Sequence, residues 1–198
     1  MREEAFLSTA IDICNSALTK LGQEVIASFT EDSKAARALN IQYPIVRDML
    51  LQNHYWNFAV KTVSLAQLPT ADLGSRGTKF ALPSDYHQAI KLLSNRFYKI
   101  ESGELITDQS TAILKYVWKN DNVSSYTPLF KEALAYALAN DIAYLMTQSQ
   151  GTVDRMEAKA NKAMLNAAAV DAQEDFMDNV HGDDFIEGRY GEIQSHFK

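Results

Sequence analysis

Apolar residues recur at three- and four-residue spacing through four stretches of the chain, and each stretch predicts an amphipathic helix. From about Ser8 to Leu21 the stripe is Ile11, Cys14, Leu18 and Leu21, and Gly22 is its C-terminal stop. From Ser33 to Ala59 the stripe is Ala36, Leu39, Tyr43, Val46 and Leu50. Asp32-Ser33 offers side-chain oxygens to the free amides of that helix's first turn. Pro44 falls inside it, removing one donor and crowding the carbonyl of Asn40, which predicts a kink. Tyr55, Trp56 and Phe58 close the segment as a structural anchor, because aromatics crowded at a helix end bury large areas. The link from Gln23 to Glu31 is short, so the first two helices are expected to pack antiparallel as a hairpin over residues 1–59.

Thr127-Pro128 restarts helix with an N-cap and a proline at the first helical position. Between Leu129 and Met146 only Lys131, Glu132, Asn140 and Asp141 are polar. A helix apolar on nearly every side is a central one. Gln150-Gly151 predicts a break, followed by a helix from Val153 to Asp175. Its seam of Val153, Met156, Ala160, Ala163, Ala167 and Val170 suits close packing within the chain or a contact between subunits. The remaining faces carry Arg155, Glu157, Lys159, Lys162 and Asp171, which are expected to meet solvent or a polar neighbour.

At Val60 the period shortens. VKTVSLAQL, TKFAL, AIKLLSN, RFYKI, ELIT and AILKYVW read as short strands, with Pro83-Ser84-Asp85 as a turn. Glu101-Ser102-Gly103-Glu104 is the expected hairpin connection, Gly103 supplying the positive φ of a tight turn. The fold expectation is mainly α: a four-helix bundle from residues 1–59 and 126–177, a small antiparallel β insertion at 60–125, and an extended tail at 178–198. That tail mixes acidic residues and glycine with spaced anchors, including Phe185, Ile186, Tyr190, Ile193 and Phe197, as a segment that orders on a partner does.

The ordered set SKAAR, YPIVRDMLL and WNFA resembles the tail tubular protein A family of short-tailed phages. ICNSALTKLGQ before it, FALPSDYHQAI after it and the alanine-rich helical pair agree, so the resemblance spans roughly residues 8 to 176. It implies a structural virion protein made in a host bacterial cytoplasm: the head-to-tail adaptor, a dodecameric ring beneath the portal that forms part of the DNA conduit. The implied partners are a second copy of the chain, the portal protein and the tail nozzle protein, with DNA passing and not specifically bound. The implied portal-binding tail maps to Phe185, Ile186, Arg189 and Tyr190, with Phe185 standing where tryptophan is commoner. The turn of Glu101, Ser102, Gly103 and Glu104 is the candidate nozzle-facing element. Arg47 and Asp48 are either a subunit-interface ion pair or a local pair on the helix surface.

Composition narrows the alternatives. The chain has 198 residues, 46% hydrophobic and 22% charged, an ordinary globular balance. A net charge of -6 disfavours a grip on phosphates, which needs clustered Lys and Arg. Applied to a conduit, the same charge implies a wall that weakly repels DNA. Cys14 is alone and reads as a small core residue, so no internal disulfide is expected. No signal-peptide pattern and no membrane-spanning run is visible, so a soluble protein is expected.

Enzymatic chemistry has little to stand on. GxSxG, GxxxxGK[ST], HExxH and paired-cysteine spacings are absent. His54, His87, His181 and His196 are scattered; His54 reads as a packing histidine, and His181-Gly182-Asp183-Asp184 as a solvated acidic tail in place of a metal site. No catalytic residue, metal or cofactor is expected. The rival readings are a phage-tail glycan or peptidoglycan hydrolase, which would need two carboxylates about 5–9.5 Å apart, and a cellular helical interaction module.

Overall fold

The computed structural model describes residues 9–69, 77–94 and 96–176. Its helices are α1 (Ala10–Lys20), α2 (Lys34–Asn53), α3 (Pro128–Thr147) and α4 (Gln150–Phe176). Its strands are β1 (Val60–Ser64), β2 (Thr78–Ala81), β3 (Tyr86–Leu92), β4 (Tyr98–Glu101), β5 (Glu104–Thr107) and β6 (Ile113–Trp118).

Local chemistry sets the helix ends. Thr9 and Asp12 form a capping box on α1, each side chain accepting the other's backbone amide. Gly22 takes φ +68, which lets the Gln23 amide return to the Leu18 carbonyl at 3.0 Å. Ser33 caps α2 by accepting from the Ala36 amide at 3.1 Å, and Thr127 caps α3 by accepting from Phe130. α2 keeps Pro44 within it but stops at Asn53, well short of Ala59; His54 is extended and residues 57–59 form a single 3-10 turn. The α3–α4 break also differs from the expectation. The left-handed residue is Gln148, whose amide donates to the Tyr144 carbonyl, while Gly151 lies within the first turn of α4.

α3 is the centre of the helical part. α1, α2 and α4 all pack on it, and buried residues of α1 and α2 share its core. Phe130, Leu134, Leu138 and Ile142 of α3 are buried together with Leu18, Leu39, Leu51 and Trp56. The α4 seam packs inward, with Met156 and Ala167 buried, and Val153 and Ala163 half-buried, against the same core.

The expected four-helix bundle with a small β insertion is overturned. The fold is mixed α/β, 52% helix and 20% strand, and the strands make two sheets. These are antiparallel and three-stranded, ordered β1-β6-β3 and β2-β5-β4. The reason is that the β part closes its own core: Leu65, Phe80, Leu92, Leu105, Leu114 and Tyr116 bury one another apart from the helical core. Residues after β1 run on into the second sheet, where the Ala81 amide donates to the Ala66 carbonyl and the Leu68 amide to Lys79. Alternating hydrophobicity marks strands but does not say how many sheets they form. The β4–β5 hairpin does turn at Ser102-Gly103, with φ of 51 and 78, and pairs Glu101 with Glu104. Two successive positive φ values define the type I′ turn that suits the twist of a two-residue hairpin.

Candidate functional site

The chain leaves the helical part at residues 54–60 and returns at 118–126, and buried polar groups hold both crossings. At the exit, the Asp171 carboxylate of α4, only 4% exposed, accepts from the Asn57 backbone amide at 3.2 Å on each oxygen. It also lies 3.0 Å from His54 Nε2, while Asn57 Nδ2 donates to the Asp171 carbonyl at 3.0 Å. At the return, fully buried Asn120 donates to the Phe58 carbonyl and to Ser125 Oγ, and accepts from the Asn122 amide. The Tyr126 hydroxyl donates to the Asn120 carbonyl, and burial pushes its pKa above the usual tyrosine range, so it stays a neutral donor.

The anchor aromatics lie between these clamps. Trp56 is completely buried, and its Nε1 donates to the Leu50 carbonyl at 2.9 Å. Its ring centroid lies 4.9 Å from Phe130 in an edge-on contact, and Phe58 packs on Trp56, Tyr126 and Phe130. Tyr55 points the other way and is 47% exposed, over a small cleft of about 210 Å³ shared with Gln52, Asn53, His54 and Gln88. That is below the usual ligand-pocket range of roughly 300–1,000 Å³. His54 is occupied by Asp171 and stacks edge-on with Trp56, which leaves it as a clamp and packing group.

Arg47 and Asp48 pair with each other: Arg47 Nε donates to Asp48 Oδ1 at 2.8 Å, on half-buried side chains. The Asp48 carbonyl is also 2.9 Å from His87 Nε2 of β3, so the pair sits where α2 meets the first sheet. Cys14 is fully buried, and burial pushes its thiol up to about 12, which keeps it protonated and inert. In the β part, Asp85 accepts from Lys61 Nζ at 2.7 Å and from the Tyr116 hydroxyl at 2.9 Å. At the hairpin turn, Lys99 pairs with Glu101 at 2.6 Å and Lys79 with Glu104 at 3.2 Å. Phe185, Ile186, Arg189 and Tyr190, with His181, lie outside the described residues.

Two features escaped the sequence reading. Asp171, expected to meet solvent or a polar neighbour, is buried against the polar groups of His54 and Asn57, and Val170 of the expected seam is 38% exposed. After Ala167 a helical seam continues equally well at i+3 or i+4, and only the apolar character of Val170 favoured the first choice. The second is a line of exposed apolar residues on the outward side of α2: Ile41, Ile45 and Met49, 62%, 57% and 48% exposed. Their four-residue spacing was legible, but the buried stripe drew the assignment.

Among the described residues no three His, Cys, Asp or Glu side chains gather to hold a metal, and no helix is long and apolar enough to cross a membrane. No family model matches the chain, and no curated protein matches it.

Proposed function

We propose that the chain is a structural virion protein, an adaptor subunit that joins a portal ring to a tail nozzle and lines part of the DNA conduit. The observation that carries this reading is the ordered run of SKAAR, YPIVRDMLL and WNFA, which in the fold forms α2 and the anchor from which the β part departs. A part that bridges two assemblies must hold its two units in a fixed relation, and the Asp171 and Asn120 clamps are suited to that task. In this proposal the subunits form a dodecameric ring. The tail carrying Phe185, Ile186 and Arg189 docks on the portal, and the Glu101–Glu104 turn faces the nozzle. The net charge of -6 fits a conduit wall that lets DNA pass without gripping it.

Co-sedimentation with a purified portal ring of a short-tailed phage tests the reading. The adaptor account expects the chain to travel with the portal ring and to leave a peptidoglycan zymogram dark. A cleared zymogram without portal binding would replace it with the hydrolase reading.

A further inference from the structure

The sheet β1-β6-β3 has a second face, turned away from the β core. Leu114 of β6 and Leu92 of β3 are buried in that core, so their neighbours Lys115 and Lys91 lie on the opposite face. Val117, on the same face as Lys115, is buried in the helical core. Beyond it the face opens. Lys115 stands directly across from Lys91, and Ile113 and Leu93 follow at 44% and 49% exposure. The Leu93 amide donates to the Ile113 carbonyl at 3.0 Å, which keeps the two side by side. Like charges directly opposite on an antiparallel pair repel, and nothing in the fold relieves these two. Asp85, Glu101 and Glu104 are taken by Lys61, Lys99 and Lys79, and Asp48 by Arg47. Asp108 and Asp121 lie in the loops after β5 and β6. Among the described residues no carboxylate pairs with Lys91 or Lys115.

We propose that this face is the docking site of the chain's own C-terminal segment, residues 177–198, folded back within one subunit. Asp183 and Asp184 meet Lys91 and Lys115, and Phe185 and Ile186 cover Ile113 and Leu93. Charge favours this partner. Lys and Arg exceed Asp and Glu by two in residues 60–125, whereas acidic residues lead by three in 177–198. They also lead by five in residues 1–59 and 126–176 together, so the helical part repels the segment that the β part attracts. Order agrees as well. Read away from the helices, the sheet face runs lysine pair, then aliphatic pair; read away from α4, the segment runs Asp183-Asp184, then Phe185-Ile186. The segment's own cations, Arg189 and Lys198, come after the matched run. Reach is sufficient. Near its end α4 sets Asp171 against Asn57, just before β1 begins. The path from there through the 3-10 turn to Thr62, with the last turn of α4 added, is about 25 Å. Met177 to Asp184, extended, covers about 27 Å. The contact does not rest on the adaptor reading; within that reading it holds the portal-docking residues in reserve in the free subunit.

The test is disulfide trapping in the full-length chain carrying Leu93→Cys and Ile186→Cys together, oxidised mildly in dilute solution. Leu93 is exposed, and the native Cys14 is fully buried and does not compete. A disulfide forms only where Cα atoms come within about 7 Å, so docking should give cross-linked monomer. Adding Lys91→Glu with Lys115→Glu keeps a like-charged pair across the strands but reverses its sign. That should cut the yield roughly tenfold, through lost charge-assisted contacts. Arg155→Glu with Lys162→Glu, the same change of charge on α4, should leave the yield within about twofold, because distant surface charges are screened. Cross-linked dimer in place of monomer would give the face to a neighbouring copy's segment, and no cross-link would leave it to a partner outside the chain. Either result overturns the proposal. So would a yield that both charge reversals lower equally, or that neither lowers. No portal is present in this experiment, so its failure is separable from failure of the adaptor reading.

Discussion

His54 and Asp171 stand 117 residues apart in the chain and 3.0 Å apart in the fold. The same carboxylate takes the Asn57 amide, so one side chain of α4 fixes the point where the helical part hands over to the β part. Asp171→Ala leaves that amide without its acceptor and removes a buried hydrogen-bond set. Unfolding in urea should show a loss of about 1–3 kcal/mol. Faster hydrogen exchange at the Asn57 amide should accompany it, and unchanged exchange would argue against the clamp.

Trp56 and Tyr55 are neighbours with opposite burial, 0% and 47% exposed. Trp56→Ala should therefore cost about 3–5 kcal/mol, as for large aromatics removed from a packed core. Tyr55→Ala should stay within about 0.5 kcal/mol. Equal losses at both positions would contradict the placement of the anchor.

Asp85 gives a pH dependence whose sign can be stated. Burial by itself would raise its pKa, but the hydrogen bonds from Lys61 and Tyr116 more than offset this and leave it below the ordinary carboxylate value. A carboxyl made more acidic by folding stabilises the fold above its unfolded pKa, and that contribution is lost as pH falls through the folded value. Asp85→Asn should thus be less stable than wild type at neutral pH, by less than about 1 kcal/mol for a pair this exposed. The difference should close on acidification below about pH 4. A gap that widens in acid would reverse the assignment.

Ser102 and Gln148 hold positive φ without being glycine. The left-handed region costs an ordinary L-residue roughly 1 kcal/mol, and asparagine and glycine pay less. Ser102→Asn and Gln148→Gly should each raise the melting temperature. Ser102→Asn also recreates the Asn-Gly pair that type I′ turns favour.

These positions show how far the amino-acid pattern reaches. The helices were legible because Leu39, Tyr43, Val46 and Leu50 repeat on one face, and because Thr127-Pro128 marks a start that the backbone obeys. The Gly103 turn was legible since the positive φ it demands has few residue types to meet it. The two-sheet arrangement was not, because period-two alternation in TKFA or ELIT says which side faces a core and not which core. Asp171 was hidden for a related reason. Its partners, His54 and Asn57, come from the other end of the chain, and no local spacing announces a contact across 114 or 117 residues. The α2 ridge was visible as a spacing but became a surface only once the opposite face was seen to be buried.

The adaptor reading is tested most directly by electron microscopy of the portal ring mixed with the full-length chain and with a version truncated after Asp175. The account predicts an added ring beneath the portal with the full-length chain and none with the truncated one. A ring from both would remove Phe185, Ile186 and Arg189 from the portal contact. No ring from either would contradict the adaptor account itself and leave the chain as a helical interaction module.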